Sequence, residues 1–316
     1  MIDLSIIIVN WNTRDLLCNC LESVFYHTKD ISFEVLVVDN ASADESTAVV
    51  NTRFPQVKLI ANNKNVGFTR ANNQALPQCQ GRYILLLNPD TVVLNGALHK
   101  LLLFMDSHPE VGVCGPHIIQ PDGTARTESC GFQPTLRTMF AHYFFLSRLF
   151  ANTRFFRGVH LISKNRTTEP LEVEWVSGAC MMVRRSALSK VGFLDESLFF
   201  GDDFEWCARF QAQNWQIYYV PQASIIHYTG SAVKLVDGPV STSWVRGLHR
   251  YFARSHSWFS VFCFDLILFV GLFLRALLHW GEYILTQDRR WQAKAKESYC
   301  YSMAAMRLLL IGTKDV

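Results

Sequence analysis

The chain begins as an alternation of continuous apolar runs and amphipathic stretches. Leu4–Val9 is a β-rich apolar run that stops at Asn10-Trp11-Asn12. A short run of that kind, bounded by polar residues, predicts a strand buried on both faces. Leu16, Leu17, Cys20, Leu21 and Val24 then recur at helical spacing and predict a helix with one apolar stripe. Phe33–Val38 predicts a second strand ending at Asp39, and Ser42 with Glu45 reads as a capping box that starts a helix near Ala43. Val57–Ala61 predicts a third strand, followed by the turn Asn62–Phe68 and a helical stretch near Thr69–Gln78. Tyr83–Leu87 predicts a fourth strand, Gly96–Met105 a helix and Val111–Gly115 a fifth strand.

Strand and helix alternate through short connections in this region, the signature of a doubly wound, mainly parallel α/β sheet. Right-handed crossovers place the carboxyl ends of such strands on one edge, where open α/β sheets bind their ligands. Asn10, Asp39, Asn65 and Asp90 are therefore expected to line one crevice. The turn Asn88-Pro89-Asp90-Thr91 is the most informative, because the apolar run before it delivers a carboxylate to that edge. The arrangement points to a nucleotide diphosphate held with a metal.

The pattern loosens from about Phe132 to Pro170, where the chain is aromatic and basic; this reads as a helical insertion with an exposed loop near Lys164–Glu169. Glu172–Val176 and Met181–Val183 predict strands, Ser186 caps a short helix, Asp203–Gln213 predicts a helix, and Trp215–Val220 and Ser224–His227 predict two final strands. The expected organisation is a catalytic domain over 1–235, with 132–170 as its insertion, and a C-terminal helical region over 240–316. Within that region Ser257–Leu285 is dominated by Phe, Leu, Ile, Val and Trp, but Asp265 and Arg275 interrupt it. A clean bilayer span needs about 20 mainly apolar residues. On a helical wheel Arg254, Asp265, Arg275, His279 and Glu282 share one arc of roughly 100°, and the other faces are apolar. A helix lying in a membrane interface is the preferred reading, with a helix docked on the catalytic domain as the alternative. The basic residues Arg289, Arg290, Lys294 and Lys296 favour an anionic lipid surface.

Composition narrows the class. With 316 residues, 49% of them hydrophobic, the chain has room for one large domain or a domain with an appendage. A net charge of +3 gives no general nucleic-acid footprint. The charge is uneven, with ten Lys/Arg against five Asp/Glu from Arg246 onward. Nine cysteines without a C-x-x-C pair suggest free thiols in a reducing compartment. The first strand pattern starts at Leu4, so no signal peptide is expected. Chance accounts for the sequon at Asn165-Arg166-Thr167 in a cytosolic protein.

The ordered blocks Val37-Val38-Asp39, Asn65-Val66-Gly67-Phe68, Asn88-Pro89-Asp90, Gly201-Asp202-Asp203 and Ile226-His227-Tyr228 resemble those of family 2 glycosyltransferases with a GT-A fold. The resemblance covers about residues 3–232. Asn-Pro-Asp in place of Asp-x-Asp, with Trp175-Val176-Ser177-Gly178-Ala179-Cys180 upstream of the acidic pair, is similar to the bacterial rhamnosyltransferases, which use a dTDP-L-rhamnose donor in cell-wall or surface-polysaccharide assembly.

The resemblance implies a role for each position. Asp39 meets the base or ribose, where a carboxylate can accept a pyrimidine N–H, or it only caps a turn. Asp90 binds a divalent cation together with two phosphate oxygens, the hard-ligand set of Mn²⁺ or Mg²⁺. Asn88 stands where many relatives carry Asp, and serves the ribose or orients the turn. His227 either completes the metal shell or closes a strand. Asp203 is the general base, because a sugar hydroxyl is a poor nucleophile until a carboxylate takes its proton. Asp202 caps the following helix and, with Trp175 and Gly178, borders the acceptor and sugar pocket, and Glu205 pairs with Arg209 at i,i+4. Gly67 and Gly178 permit close backbone approach. Arg70 either reaches the diphosphate or is solvated, and Trp175 either stacks on a sugar or belongs to the core.

The implied activity is inverting transfer of a sugar, L-rhamnose by the resemblance, to a lipid-linked or polysaccharide acceptor at the cytoplasmic membrane face. A UDP-sugar donor (galactosyl, glucosyl or N-acetylglucosaminyl) is the alternative. A sugar nucleotidyltransferase would be expected to carry a Gly-rich basic loop after its first strand, and Asn10-Trp11-Asn12-Thr13-Arg14 is not one. A non-catalytic scaffold would be expected to have lost Asp90 or Asp203.

Overall fold

A computed structural model describes residues 2–126, 129–150, 153–161, 168–198, 200–228 and 240–311. The chain runs β1 (Leu4–Asn10), α1 (Arg14–His27), β2 (Phe33–Asp39), α2 (Ser46–Arg53), β3 (Lys58–Ala61), α3 (Phe68–Ala75), β4 (Tyr83–Leu87) and β5 (Thr91–Val93). It continues through α4 (Ala97–Ser107), β6 (Val111–Ile119), β7 (Cys130–Gly131), α5 (Leu136–Tyr143), α6 (Leu146–Leu149), β8 (Leu171–Val173), β9 (Trp175–Val176) and β10 (Cys180–Arg184). The last elements are α7 (Leu188–Val191), α8 (Asp202–Ala212), β11 (Gln216–His227), α9 (Ser243–Ala253), α10 (Trp258–Thr286) and α11 (Arg289–Ile311).

These elements form two units. Met1–Gly131, Ser163–Ser197 and Asp202–Asp237 make the first. It holds a nine-stranded mixed sheet in the order β3-β2-β1-β4-β10-β6-β11-β5, with β8 paired to β11. The α/β architecture expected from the alternation is present; the parallel pairs are those of β3-β2-β1-β4 and the pair β6-β11, and the remaining pairs are antiparallel. The apolar runs that predicted these strands are buried because helices cover them: all seven residues of β1 and all five of β4 are buried. Leu17, Cys20, Leu21 and Val24 of α1 form the stripe that packs into this core.

Register places the functional edge. Asn10 is opposite Asp39, Ile8 opposite Leu87, and Asp39 opposite Ala61, so the carboxyl ends of four strands finish side by side. β10 then enters antiparallel to β4, with Cys180 opposite Leu87. Its amino end, and with it Gly178 and Ala179, therefore meets the edge where β4 ends. β11 is antiparallel to β5 with His227 opposite Thr91, which sets His227 beside Asp90.

Three local expectations differ from the structure. Trp215–Val220 and Ser224–His227 are not two strands: β11 is continuous, with a register shift between Val220 and Ser224 that absorbs the polar Pro221-Gln222 interruption. The capping box at Ser42 and Glu45 does not form, because α2 starts at Ser46 after Glu45 at φ 64°. Asp44 accepts from the Ser46 backbone instead, which frees Ser42 for another use. The insertion is shorter on the sheet side than 132–170 suggests, since 132–162 groups with the C-terminal helices. The sequon and most of the loop near Lys164–Glu169 lie outside the described residues.

Close packing gives one stability expectation. A Cβ on Gly81 would lie 2.5 Å from the Ser5 backbone nitrogen and 2.7 Å from the Tyr83 carbonyl oxygen. Gly81→Ala is expected to destabilise the first unit by about 1–3 kcal/mol, read as a lowered urea midpoint with unchanged slope.

Phe132–Ile162, Leu198–Gly201 and Gly238–Val316 form the second unit. α10 and α11 make a helical hairpin that turns at Gln287, φ 55°. His249 Nδ1 lies 2.9 Å from both carboxylate oxygens of Asp265, a buried pair joining α9 to α10. Arg275 donates to the His142 carbonyl at 3.0 Å, and Tyr251 donates to Gln133 at 2.7 Å. The segment beginning at Phe132 is thus tied to the C-terminal helices by hydrogen bonds.

Candidate active site

The edge of the first unit's sheet carries three linked groups of side chains. In the first, Asn10 Nδ2 donates to Asp39 Oδ2 at 2.8 Å and to Ser42 Oγ at 3.1 Å. The Ser42 backbone N–H donates to Asp39 Oδ1 at 2.9 Å, and Thr13 holds Asn10 Oδ1 at 2.7 Å. Asp39 is 2% exposed. A carboxylate offers about four acceptor sites, so two remain for a ligand N–H or hydroxyl. Ser42, read from sequence as a helix cap, instead braces this pair.

The second group is the turn into α3. Asn65 Oδ1 accepts the Gly67 N–H at 2.9 Å, and Gly67 sits at φ 87°, where a side chain is strained. Asn40 Nδ2 reaches the Gly67 carbonyl at 3.3 Å, which connects this turn to the strand-end cluster. Asn65 therefore shapes the turn by an Asx bond. Arg70, on the same helix, is paired with Glu196 at 2.9 Å. Glu196 is the competing partner that sequence could not foresee.

The third group follows β4. Asp90 Oδ1 and His227 Nε2 are 3.0 Å apart, both side chains nearly enclosed, and Asn88 Nδ2 is 3.4 Å from the same nitrogen. Tyr228 N–H donates to the Asp90 carbonyl at 2.9 Å, locking β11 to the turn. Thr91 Oγ1 closes the turn on the Asn88 carbonyl at 2.7 Å. Arg126 Nη1 lies 3.1 Å from His227 Nδ1. Arginine only donates, so Nδ1 accepts and the ring proton sits on Nε2, facing Asp90. No motif marks Arg126 in the sequence; it arrives because Arg126 N–H pairs with the Ile118 carbonyl after β6.

Asp202 and Asp203 open α8 and are only partly exposed. Asp203 accepts the Phe204 N–H at 2.9 Å and a backbone hydrogen bond from Gly178. Gly178 neighbours Ala179, whose carbonyl accepts the Asn88 N–H at 3.0 Å. The Phe68 ring, at the Gly67 turn, is the nearest group to a Cβ built on Gly178, at 3.8 Å. Asp203, Asn88 and Gly67 are thereby connected through one short segment, Gly178-Ala179. Asp39, Asp90 and Asp203 belong to a single linked cluster rather than separate surfaces.

Trp175 is a correction. It is 2% exposed and packs edge-to-face on Phe204 with ring centroids 4.5 Å apart, so its face is not open to a sugar. On β9 it stands opposite Gly131 of β7, which has no side chain to compete for that space. Glu205 makes the expected bond to Arg209, at 2.7 Å.

Burial pushes the carboxyls of Asp202 and Asp203 above the usual carboxylate range, and the neighbouring Asp203 charge pushes Asp202 further. The sign for stability follows. A carboxyl with a raised folded pKa binds its proton more tightly when folded. Its contribution is present below the ordinary carboxylate pKa and is lost as pH rises through the raised value. Asp202→Asn is therefore expected to raise the unfolding temperature by a few degrees at pH 8, with the gain vanishing near pH 4, in thermal melts across pH.

Among the described residues no three His, Cys, Asp or Glu side chains converge as metal ligands. Asp90 nevertheless presents a carboxylate at the turn after β4, and His227 Nε2 beside it becomes a nitrogen donor on giving up the proton it directs at Asp90. That set fits Mn²⁺ or Mg²⁺ if phosphate oxygens and water complete the shell.

A mixed sheet with acidic and amide side chains gathered at one edge has the layout of the GT-A fold. The family described as Glycosyl transferase family 2 matches residues 5–192, and the chain belongs to that family. It is 29% identical over 211 residues to the N-acetylglucosaminyl-diphospho-decaprenol L-rhamnosyltransferase of Mycobacterium tuberculosis, covering 61% of this chain and 66% of that protein. It is 26% identical to the low-salt glycan biosynthesis hexosyltransferase Agl10 of Haloferax volcanii, covering 71% of this chain and 67% of that one. The chain thus spans just under two thirds of the mycobacterial relative's length. The fold is similar to the Pyrobaculum calidifontis mannosyltransferase PcManGT solved with GDP-Man and Mn²⁺, with TM-score 0.53, 15% identity, and coverage of 98% of this chain and 88% of that one. GalNAc-T7 solved with UDP, GalNAc and Mn²⁺ is also similar, with TM-score 0.55, 16% identity, and coverage of 79% of this chain and 48% of that one.

Proposed function

We propose that the protein transfers L-rhamnose from dTDP-L-rhamnose, with inversion, to a hydroxyl of a lipid-linked glycan at the cytoplasmic face of a membrane. The observation that carries this reading is the link from Asp203 through Gly178-Ala179 to Asn88, beside Asp90 and His227. It supports Asp203 as the base beside the proposed leaving-group site. The mycobacterial relative supports rhamnose and a lipid-linked acceptor.

In the proposed reaction Asp39 accepts a pyrimidine N–H and Asn65-Gly67 presents backbone to the diphosphate. Asp203 takes the acceptor hydroxyl proton as that oxygen attacks the anomeric carbon. The bond from that carbon to the diphosphate oxygen breaks on the opposite face, and its electron pair leaves with dTDP. One attack from one face inverts the anomeric centre. A divalent ion held by Asp90, and by His227 once its Nε2 proton is displaced, would neutralise charge growing on the leaving diphosphate. Arg126 holds the His227 ring in place. Thymine and uracil present the same N–H to Asp39, so a UDP-sugar is the second reading.

The test is a donor screen with Mn²⁺ and a membrane lipid extract, following released nucleotide. dTDP-rhamnose is expected to be consumed fastest. Faster turnover of UDP-galactose, UDP-glucose or UDP-N-acetylglucosamine replaces the donor assignment, and no release from any donor overturns transfer.

A further inference from the structure

α10 is built inside out. Three of its polar residues turn toward the rest of the second unit: Asp265 is 2% exposed on His249, Arg275 donates to the His142 carbonyl and lies 4.8 Å over the Tyr143 ring, and His279 meets Ser298 at 3.3 Å. A Cβ on Gly271 would collide with Tyr143, so the backbones of α10 and α5 approach closely there. The opposite face is apolar and open to solvent. Phe262, Leu266, Phe273, Leu277, Trp280 and Ile284 are 37–57% exposed. At about 100° per residue they share an arc of roughly 60°. No charged residue falls on it, and at about 1.5 Å per residue it runs for about 33 Å.

A soluble helix shows the reverse arrangement, and contiguous exposed apolar surface of this size marks an interaction site. The most apolar window of the helix has mean hydropathy 2.4, and only 33% of it is buried. Charge identifies the occupant. The second unit carries fourteen Lys/Arg against five Asp/Glu, whereas the first carries sixteen against twenty-two. Arg254 before α10, and Arg289 and Arg290 after it, are exposed at both ends of the apolar face. Trp258 and Trp280, 79% and 47% exposed, suit the headgroup layer.

We propose that this face of α10 is the surface by which the protein lies on an anionic lipid bilayer, without crossing it. Crossing would carry Asp265, Arg275 and their partners on α9 and α5 into hydrocarbon, at high cost. Lying flat buries only the uncharged arc while flanking arginines remain with lipid phosphates. A protein partner of this composition would need a comparably long apolar face without acidic residues; a bilayer supplies that and the negative charge together. The inference shares with the proposed function only the membrane location, and vesicle binding reads it without any sugar transfer.

The test uses the full chain with vesicles of phosphatidylcholine containing phosphatidylglycerol. Cosedimentation is expected, weakened about tenfold or more by pure phosphatidylcholine or by high salt. The triple variant Phe262→Glu/Leu277→Glu/Ile284→Glu is expected to lose binding while keeping its helical circular dichroism. Tyr26→Glu, on an exposed position of the first unit, is expected to bind normally. Tryptophan quenching should be stronger from lipids brominated near the headgroup than near the chain end. Absent cosedimentation, unchanged binding by the triple variant, or preferential deep quenching overturns the proposal. So does a dimer in light scattering that the triple variant dissolves without vesicles. A soluble acceptor analogue keeps the transfer assay separate from this result.

Discussion

Asp203→Asn is expected to lower turnover by about 10²–10⁴-fold, the range attributable to a general base, while nucleotide-sugar binding stays within about twofold. The amide keeps the shape and can still meet the Phe204 and Gly178 backbone groups through its oxygen. It cannot take a proton from a hydroxyl. The wild-type rate should fall as acid protonates the raised carboxyl pair, at a pH above the ordinary carboxylate range. In the variant that limb should disappear from whatever rate remains. The comparison is a kcat–pH profile beside calorimetric titration with dTDP-rhamnose. Full turnover by the variant removes Asp203 from the base role; lost donor binding would make it a binding residue instead.

The second large effect is expected at Asp90. Asp90→Asn should reduce turnover by about 10²–10³-fold, the equivalent of several kcal/mol of leaving-group stabilisation. It should also weaken Mn²⁺ uptake in the presence of dTDP, read by electron paramagnetic resonance without any turnover. The substitution replaces the carboxylate that His227 Nε2 approaches at 3.0 Å. Because Tyr228 bonds the Asp90 carbonyl rather than its side chain, the join between β11 and the turn should survive. Unchanged melting temperature beside lost Mn²⁺ uptake is the expected pattern. Equal Mn²⁺ uptake by wild type and variant would take the metal away from this position.

Much of the first unit is legible in its sequence because the determining interactions are local. Five-to-seven-residue apolar runs need cover on both faces, and β1, β2 and β4 obtain it from their own crossover helices. Asp39 and Asp90 follow such runs directly, so their placement at one edge needs little beyond strand direction. Glu205 and Arg209 meet because α8 places i and i+4 together. The antiparallel entry of β10 is different. Nothing within Cys180–Arg184 states that it will pair with β4 and β6, yet this pairing brings Gly178 to the site. Arg126 and Ser42 were missed for the same reason: their partners are 101 and 32 residues away. Trp175 could be read as core or as sugar platform until Phe204 was seen against its ring.

The helical wheel of α10 divides the two kinds of information. Sequence by itself determined that polar and apolar residues occupy opposite arcs, because side-chain direction follows from helical periodicity. It also determined the strand-ending carboxylates and amides, for the corresponding reason in strands. Only tertiary structure decided which arc of α10 is inside, that Asp265 is buried against His249, and that Asp203, Asp90 and Asp39 share one linked edge. Those outcomes depend on partners distant along the chain, whose hydrogen bonds and packing no local pattern encodes.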